Sequence, residues 1–273
     1  MFKTRLISGI VLVILALILI LTGGNVLFIS TLAISYIGMY ELYRVFKMEK
    51  QMPAVIGYLM ATIYYINLRF AFIPDMMMFV IGCLVVLMFV YVFTYPKYKT
   101  EQILAAFFGV FYVAVMLSYV YLTREMTSGI YIVWLIFLCS WGCDTCAYCV
   151  GVLIGKHKMA PVLSPKKSVE GAIGGVVGTG LLTILFGNIF KDAMGIDASG
   201  VIALAIICMV GALISMVGDL TASAIKRNYD IKDYGTLIPG HGGILDRFDS
   251  VIFTAPIIYF LASTVIDWLY YAG

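Results

Sequence analysis

Apolar residues dominate nine long runs of the chain, at roughly 6–22, 25–45, 53–68, 76–95, 103–123, 130–154, 169–190, 199–225 and 245–270. A helix needs about 20 mostly apolar residues to cross a bilayer. The pattern therefore predicts an all-α, polytopic integral membrane protein with about nine transmembrane helices. The third run is the shortest. Turn-forming residues punctuate the runs: Thr22 to Asn25 with two glycines between, Gln51 to Pro53, Pro74-Asp75, Tyr95-Pro96 and Thr127 to Gly129.

Composition agrees. Hydrophobic residues make up 63% of the chain and charged residues 12%, against about 45–50% apolar for a soluble domain. No polar stretch is long enough to fold alone, so residues 1–273 read as a single membrane domain. Its N-terminal helices (1–125) carry no motif, and its chemistry lies in 130–273. Leu6 to Thr22 resembles a signal peptide, but no small-x-small cleavage pattern follows, so it reads as a retained first helix. No internal repeat is evident, and nothing points to nucleic acid.

The net charge is only +3, so placement matters more than total. With a cytosolic N-terminus, 15 of the 18 Lys and Arg residues fall on the cytosolic side, and Arg69, Arg124 and Lys191 alone fall outside. This bias predicts nine spans with the C-terminus outside. It also places both long polar loops, 155–168 and 226–244, on one cytosolic face.

The stretch from Asp219 to Asp249 concentrates the charge of an otherwise apolar chain: five Asp, two Lys and two Arg. Ionisable groups this close to bilayer depth mark functional sites. Asp219 shares a helical face with Ser223, Lys226 and Arg227, at offsets of four, seven and eight. Asp246 and Asp249, three apart, share a face where the last helix begins. Two helices presenting carboxylates to each other suit Mg²⁺, which takes oxygen ligands and keeps substrate phosphates. Asp144 lies inside another apolar run. It is read either as a site residue or as a buried hydrogen-bonding Asp.

The loop from Gly155 to Ser168 carries Lys156, Lys158, Lys166 and Lys167. It is either a topological positive-inside loop or a phosphate clamp in which Lys166, Lys167 and Ser168 act with the following helix N-terminus. Ser168 is the expected N-cap of the seventh helix. Glycines 171, 174, 175 and 178 read as close helix packing. His241, set among Gly240, Gly242 and Gly243, is either a hydrogen-bonding surface residue or a phosphate contact. Glu41 and Arg44 read as an interfacial pair, and Lys97 and Lys99 as purely topological. Six cysteines all lie in apolar runs. Cys139 and Cys146 would be about 10 Å apart along a helix axis, too far for one tetrahedral ion, so the cluster reads as packing.

The run Ser223, Lys226-Arg227, Lys232-Asp233, Gly235, Ile238-Pro239, His241-Gly242-Gly243, Asp246-Arg247 and Asp249 resembles, without departure, the signature of the phosphatidate cytidylyltransferases, the CDP-diacylglycerol synthases. The Asp144 region and residues 164–171 also resemble that family. The N-terminal half resembles it only as hydrophobic helices. The resemblance implies that CTP and phosphatidate yield CDP-diacylglycerol and pyrophosphate at the cytosolic face of a membrane, by default a bacterial inner membrane. It implies Asp219, Asp246, Asp249 and Asp144 as metal ligands. Lys226, Arg227, Lys232 and Arg247 fall to the phosphates, with Ser223, Asp233, His241, Gly242 and Gly243 around the substrates. Lys166, Lys167 and Ser168 would guide the lipid headgroup or triphosphate. Mg²⁺ is the implied cofactor, with a second, monovalent cation such as K⁺ on resemblance alone. A homodimer is compatible with the sequence. Three rivals stand beside this reading: an ion or phosphate transporter, a CTP-dependent lipid kinase, and the same chemistry on an isoprenoid phosphate.

Overall fold

The computed structural model describes the backbone of residues 2–272 and the side chains of residues 7–264. Lys3 and Arg5, counted above among the cytosolic charges, lie outside the described side chains. Each apolar run is a helical rod: α1 (Phe2–Thr22), α2 (Gly24–Val45), α3 (Met52–Phe70), α4 (Met76–Phe93), α5 (Thr100–Glu125), α6 (Gly129–Ile154), α7 (Val169–Met194), α8 (Ala198–Asn228) and α9 (Leu245–Ala272). A chain in hydrocarbon must satisfy its backbone within each segment, which is why runs this apolar become helices. Among the described residues six of them, α2 and α4 to α8, are long and apolar enough to cross a membrane. The protein is an all-α integral membrane protein carrying one small hairpin.

Local chemistry sets the helix ends. Asp75 caps α4 by accepting from Met77 N at 2.8 Å, and Asp197 caps α8 by accepting from Gly200 N at 2.9 Å. Ser168 caps α7 through Gly171 N at 3.1 Å, as its position in the sequence predicts. Gly195 ends α7 in the left-handed region at φ 67°.

Helices α6 to α9 form the most extensively packed group. Glycines let them approach. A Cβ at Gly178 would lie 2.7 Å from Cys146 Cβ, and one at Gly175 would lie 3.0 Å from both Cys143 Sγ and Met216 Cε. The α7 glycines thus accept α6 side chains, and the cysteines fill those notches. All six cysteines are free.

Two features differ from the sequence reading. First, the loop after α6 is partly ordered as an antiparallel hairpin, β1 (Lys158–Ala160) with β2 (Ser164–Ser168). Glu170 holds its base by accepting from Lys156 N at 3.0 Å and from His157 Nδ1 at 2.5 Å. Second, α5 and α6 are not continuous α-helix. Each carries a π-helical segment, Val110–Val115 in α5 and Leu138–Gly142 in α6. The second ends two residues before Asp144. A widened turn rotates everything after it, so it sets the direction in which Asp144 faces.

Candidate active site

Six elements, α6, both strands of the hairpin, α7, α8 and α9, converge on a cavity of about 690 Å³. Helix α6 contributes Asp144, Tyr148 and Val152. Strand β2 contributes Lys166, Lys167 and Ser168. Gly171 comes from α7, Met216 and Asp219 from α8, and Arg247 from α9. The lining is therefore partly ionic and partly apolar, the apolar part coming from Tyr148, Val152, Met159 and Met216.

Lys167 reaches from the hairpin to form an ion pair with Asp219. Asp144 lies within electrostatic reach of Asp219, Lys167 and Arg247. Asp249 is buried behind this group, 8% exposed, and within reach of both Asp219 and Asp144. One of its oxygens accepts from Ser250 N at 2.7 Å. Helices α8 and α9 bring Asp219 and Asp249 together because Gly218 has no side chain. A Cβ there would lie 2.8 Å from the Asp249 carbonyl oxygen. Among the described residues no three His, Cys, Asp or Glu side chains are gathered closely enough to hold a metal ion as they stand.

Asp246 does not line the cavity. Its Oδ1 accepts from Lys226 Nζ at 2.8 Å, and its Oδ2 from Tyr234 N at 2.7 Å and Gly243 N at 2.9 Å. Lys226 also lies 5.5 Å from the centre of the Tyr234 ring. Tyr234 is itself buried. Burial pushes its phenol well above the ordinary range, and its hydroxyl donates to the Ala222 carbonyl at 3.1 Å. The polar loop 229–244 is thus wound around Asp246, Lys226 and Tyr234. Ser223 sits half-buried one turn beyond Asp219, whereas Arg227, Lys232 and Asp233 are exposed.

His241 and its glycines serve internal contacts. His241 Nδ1 lies 2.7 Å from Ser8 Oγ of α1, and the His241 carbonyl accepts from Arg247 Nε at 3.2 Å. Gly242 adopts φ 82°, where a side chain is strained, and a Cβ there would lie 2.6 Å from Asp246 Oδ2. Gly242 therefore makes room for the Asp246 carboxylate, and Gly243 for that of Glu41.

The expected Glu41–Arg44 pair is present only as electrostatic proximity, and the direct partners of both residues lie in the signature loop. Glu41 is 4% exposed and turns inward, accepting from Ile244 N at 3.1 Å and Leu245 N at 2.9 Å, while Arg44 donates to the Tyr234 carbonyl. Both residues grip the signature loop; they stay within electrostatic reach of each other without a direct ion pair among the described residues. A carboxylate inside an apolar helix calls for a buried partner, but nothing in the sequence says that the partner lies about 200 residues away.

The fold and cavity define a helical integral membrane protein whose charged chamber, with cations beside carboxylates, has the chemistry to hold anionic phosphates. The chain matches the model of the Cytidylyltransferase family over residues 3–265, and it belongs to that family. It is 30% identical over 266 residues to a phosphatidate cytidylyltransferase of Bacillus subtilis, covering 95% of this chain and 97% of that one. It is 32% identical over 265 residues to phosphatidate cytidylyltransferases of Staphylococcus saprophyticus and Staphylococcus aureus, covering 95% of this chain and 98% of each.

Proposed function

We propose that this protein is a phosphatidate cytidylyltransferase, joining CTP and phosphatidate into CDP-diacylglycerol and pyrophosphate for phospholipid biosynthesis. The observation that carries the reading is the two-natured cavity lining. Asp144, Asp219, Lys167 and Arg247 share one chamber with Tyr148, Val152, Met159 and Met216. A lipid phosphate needs both surfaces at once, and so does its meeting with a nucleotide.

The reaction forms one bond and breaks one. A phosphate oxygen of phosphatidate bonds to the α-phosphorus of CTP as the bond from that phosphorus to the bridging oxygen breaks. Pyrophosphate leaves with the electron pair. Such transfers need positioning and charge neutralisation and no protein nucleophile. Arg247, Lys166 and Lys167 supply cations at the cavity. Lys226, Arg227 and Lys232 supply them along the loop, with Ser223, Asp233 and His241 beside them. Ser168 and the α7 N-terminus add backbone donors for an anion.

The donor set fits Mg²⁺: Asp144, Asp219, Asp249 and Asp246 offer hard oxygens only. Lysine ammonium groups already sit on two of these four, Lys167 on Asp219 and Lys226 on Asp246. These carboxylates therefore draw cations as they stand, and an ion there would take a lysine's place. When bound, Mg²⁺ neutralises charge on the triphosphate and the leaving pyrophosphate.

In this reading all nine helices cross a bacterial inner membrane, with the N-terminus cytosolic and the C-terminus outside. The placement of 15 of the 18 basic residues supports it. The hairpin and the signature loop then face the cytosol, where CTP arrives, and phosphatidate keeps its chains in the bilayer.

The test is purified protein in mixed micelles with Mg²⁺, CTP and phosphatidate. CDP-lipid and pyrophosphate should appear in equal amounts, and EDTA should stop both. Turnover of an isoprenoid phosphate with none of phosphatidate would move the lipid assignment. No product with either would overturn the reading.

A further inference from the structure

The signature loop is held by a residue from the half of the chain that carries no motif. Glu41 lies on α2, about 200 residues before its partners. Its Oε1 accepts from Ile244 N at 3.1 Å and its Oε2 from Leu245 N at 2.9 Å, where α9 begins. The first N–H groups of any helix lack intrahelical partners and carry the positive end of the helix dipole. A local Ser, Thr, Asp or Asn normally satisfies them. Here Gly242, Gly243 and Ile244 lead into the helix, and none carries a side-chain acceptor. The cap comes from α2 instead.

The surroundings are fitted to that carboxylate. Gly235 and Gly243 flank it, and a Cβ on either would run into the Glu41 carboxyl group. On the opposite side Asp246 accepts from Tyr234 N and Gly243 N. Arg44, one turn beyond Glu41, donates to the Tyr234 carbonyl. Both ends of the loop, 234–235 and 243–245, are therefore held at fixed points. The first turns of α9 carry Arg247 to the cavity and Asp249 to within reach of Asp219.

We propose that Glu41 is a positioning residue for the transfer reaction, fixing the first turn of α9 so that Arg247 and Asp249 meet the groups on α6 and α8. The inference rests on the site assignment given above. Glu41 touches no substrate, being 4% exposed. Two acceptor oxygens and a negative charge suit two N–H groups at a helix N-terminus. A glutamine of the same shape offers one acceptor and turns an NH₂ group toward the second N–H. An aspartate is one methylene too short to reach.

The experiment compares Glu41→Gln with the wild-type protein, full length in detergent, by steady-state kinetics per folded molecule and by amide hydrogen exchange. Gly187→Val, which crowds Val201 where α7 meets the start of α8, away from both the loop and the cavity, is the matched destabilised control. For Glu41→Gln, kcat should fall by about 10²-fold, the scale of a misplacement near 1 Å. KM for both substrates should stay within about threefold, and faster exchange should be confined to the peptide spanning 234–246. Gly187→Val should keep its kcat per folded molecule. Wild-type kcat in Glu41→Gln, unchanged exchange at 234–246, or an equal loss in the control would each overturn the proposal. Should Glu41→Gln not fold, Arg44→Ala removes the exposed tether to Tyr234. It should loosen the same peptide and lower kcat in the same direction. No such change in that variant would also overturn it. Failure of the wild-type protein to make CDP-lipid would count against the function alone, since the exchange measurement needs no substrate.

Discussion

Lys226 and Asp246 form a buried ion pair, Nζ to Oδ1 at 2.8 Å, with side chains 14% and 4% exposed. Both residues belong to the signature, and the pair ties the end of α8 to the start of α9. Removing one partner of a buried pair strands the other charge, at a cost of about 3–5 kcal/mol. Asp246→Asn should therefore lower both activity and melting temperature. Lys226→Met combined with Asp246→Asn should recover much of the melting temperature and none of the activity. A single Asp246→Asn variant with wild-type melting would show that the pair does not hold the loop.

Asp219 stands differently. It faces the cavity, paired with Lys167, and is not woven into backbone hydrogen bonds. Asp219→Asn keeps the shape and removes the charge. Loss of about 3–4 kcal/mol of stabilisation at the reacting phosphates corresponds to about 10²–10³ in kcat. The melting temperature should move little. Turnover within about threefold of wild type would remove Asp219 from the site.

Gly218 lets α8 meet α9 beside the carboxylates. A Cβ there would come 2.9 Å from Phe253 Cδ2 and 2.8 Å from the Asp249 carbonyl oxygen. Overpacking of this kind costs about 1–3 kcal/mol. Gly218→Ala should lower the melting temperature and separate Asp219 from Asp249, reducing kcat as well. A neutral result would mean that the two helices part without consequence.

Lys97 is exposed and makes only a distant contact, 5.3 Å, with the Tyr98 ring. Lys97→Ala should stay within about 0.5 kcal/mol of wild type in stability, with unchanged kinetics. A large kinetic loss there would place the active face elsewhere.

Topology has its own test. Alkaline phosphatase fused after the last residue should be active in bacterial cells, and a green fluorescent protein fused there should be dark. The reverse result would put the C-terminus in the cytosol and exclude nine crossings with the N-terminus inside.

The helices were legible in the sequence because apolar runs of this length leave the backbone no other way to satisfy itself. The cavity was partly legible. Asp144, Lys166, Lys167, Ser168, Asp219 and Arg247 were each conspicuous as charged or capping residues near an apolar run, and they lie together on one chamber. Three things were not legible. The π-helical segment before Asp144 leaves no mark in composition, since it changes hydrogen-bond register and not residue type. The hairpin depends on Glu170 reaching back to residues 156 and 157, a tertiary contact from the next helix. Glu41 lies one helical turn from Arg44, a spacing that suggests a local pair, while its actual partners lie about 200 residues away.

The central claim is that the α-phosphorus of CTP ends on the lipid. Parallel reactions with phosphatidate and CTP labelled at the α- or the γ-phosphorus test it most directly. The account predicts that α-label enters the organic phase in step with pyrophosphate, and that γ-label stays in the aqueous phase as pyrophosphate. Label entering the lipid from the γ-position, with CDP left behind, would contradict the account and make the protein a CTP-dependent lipid kinase.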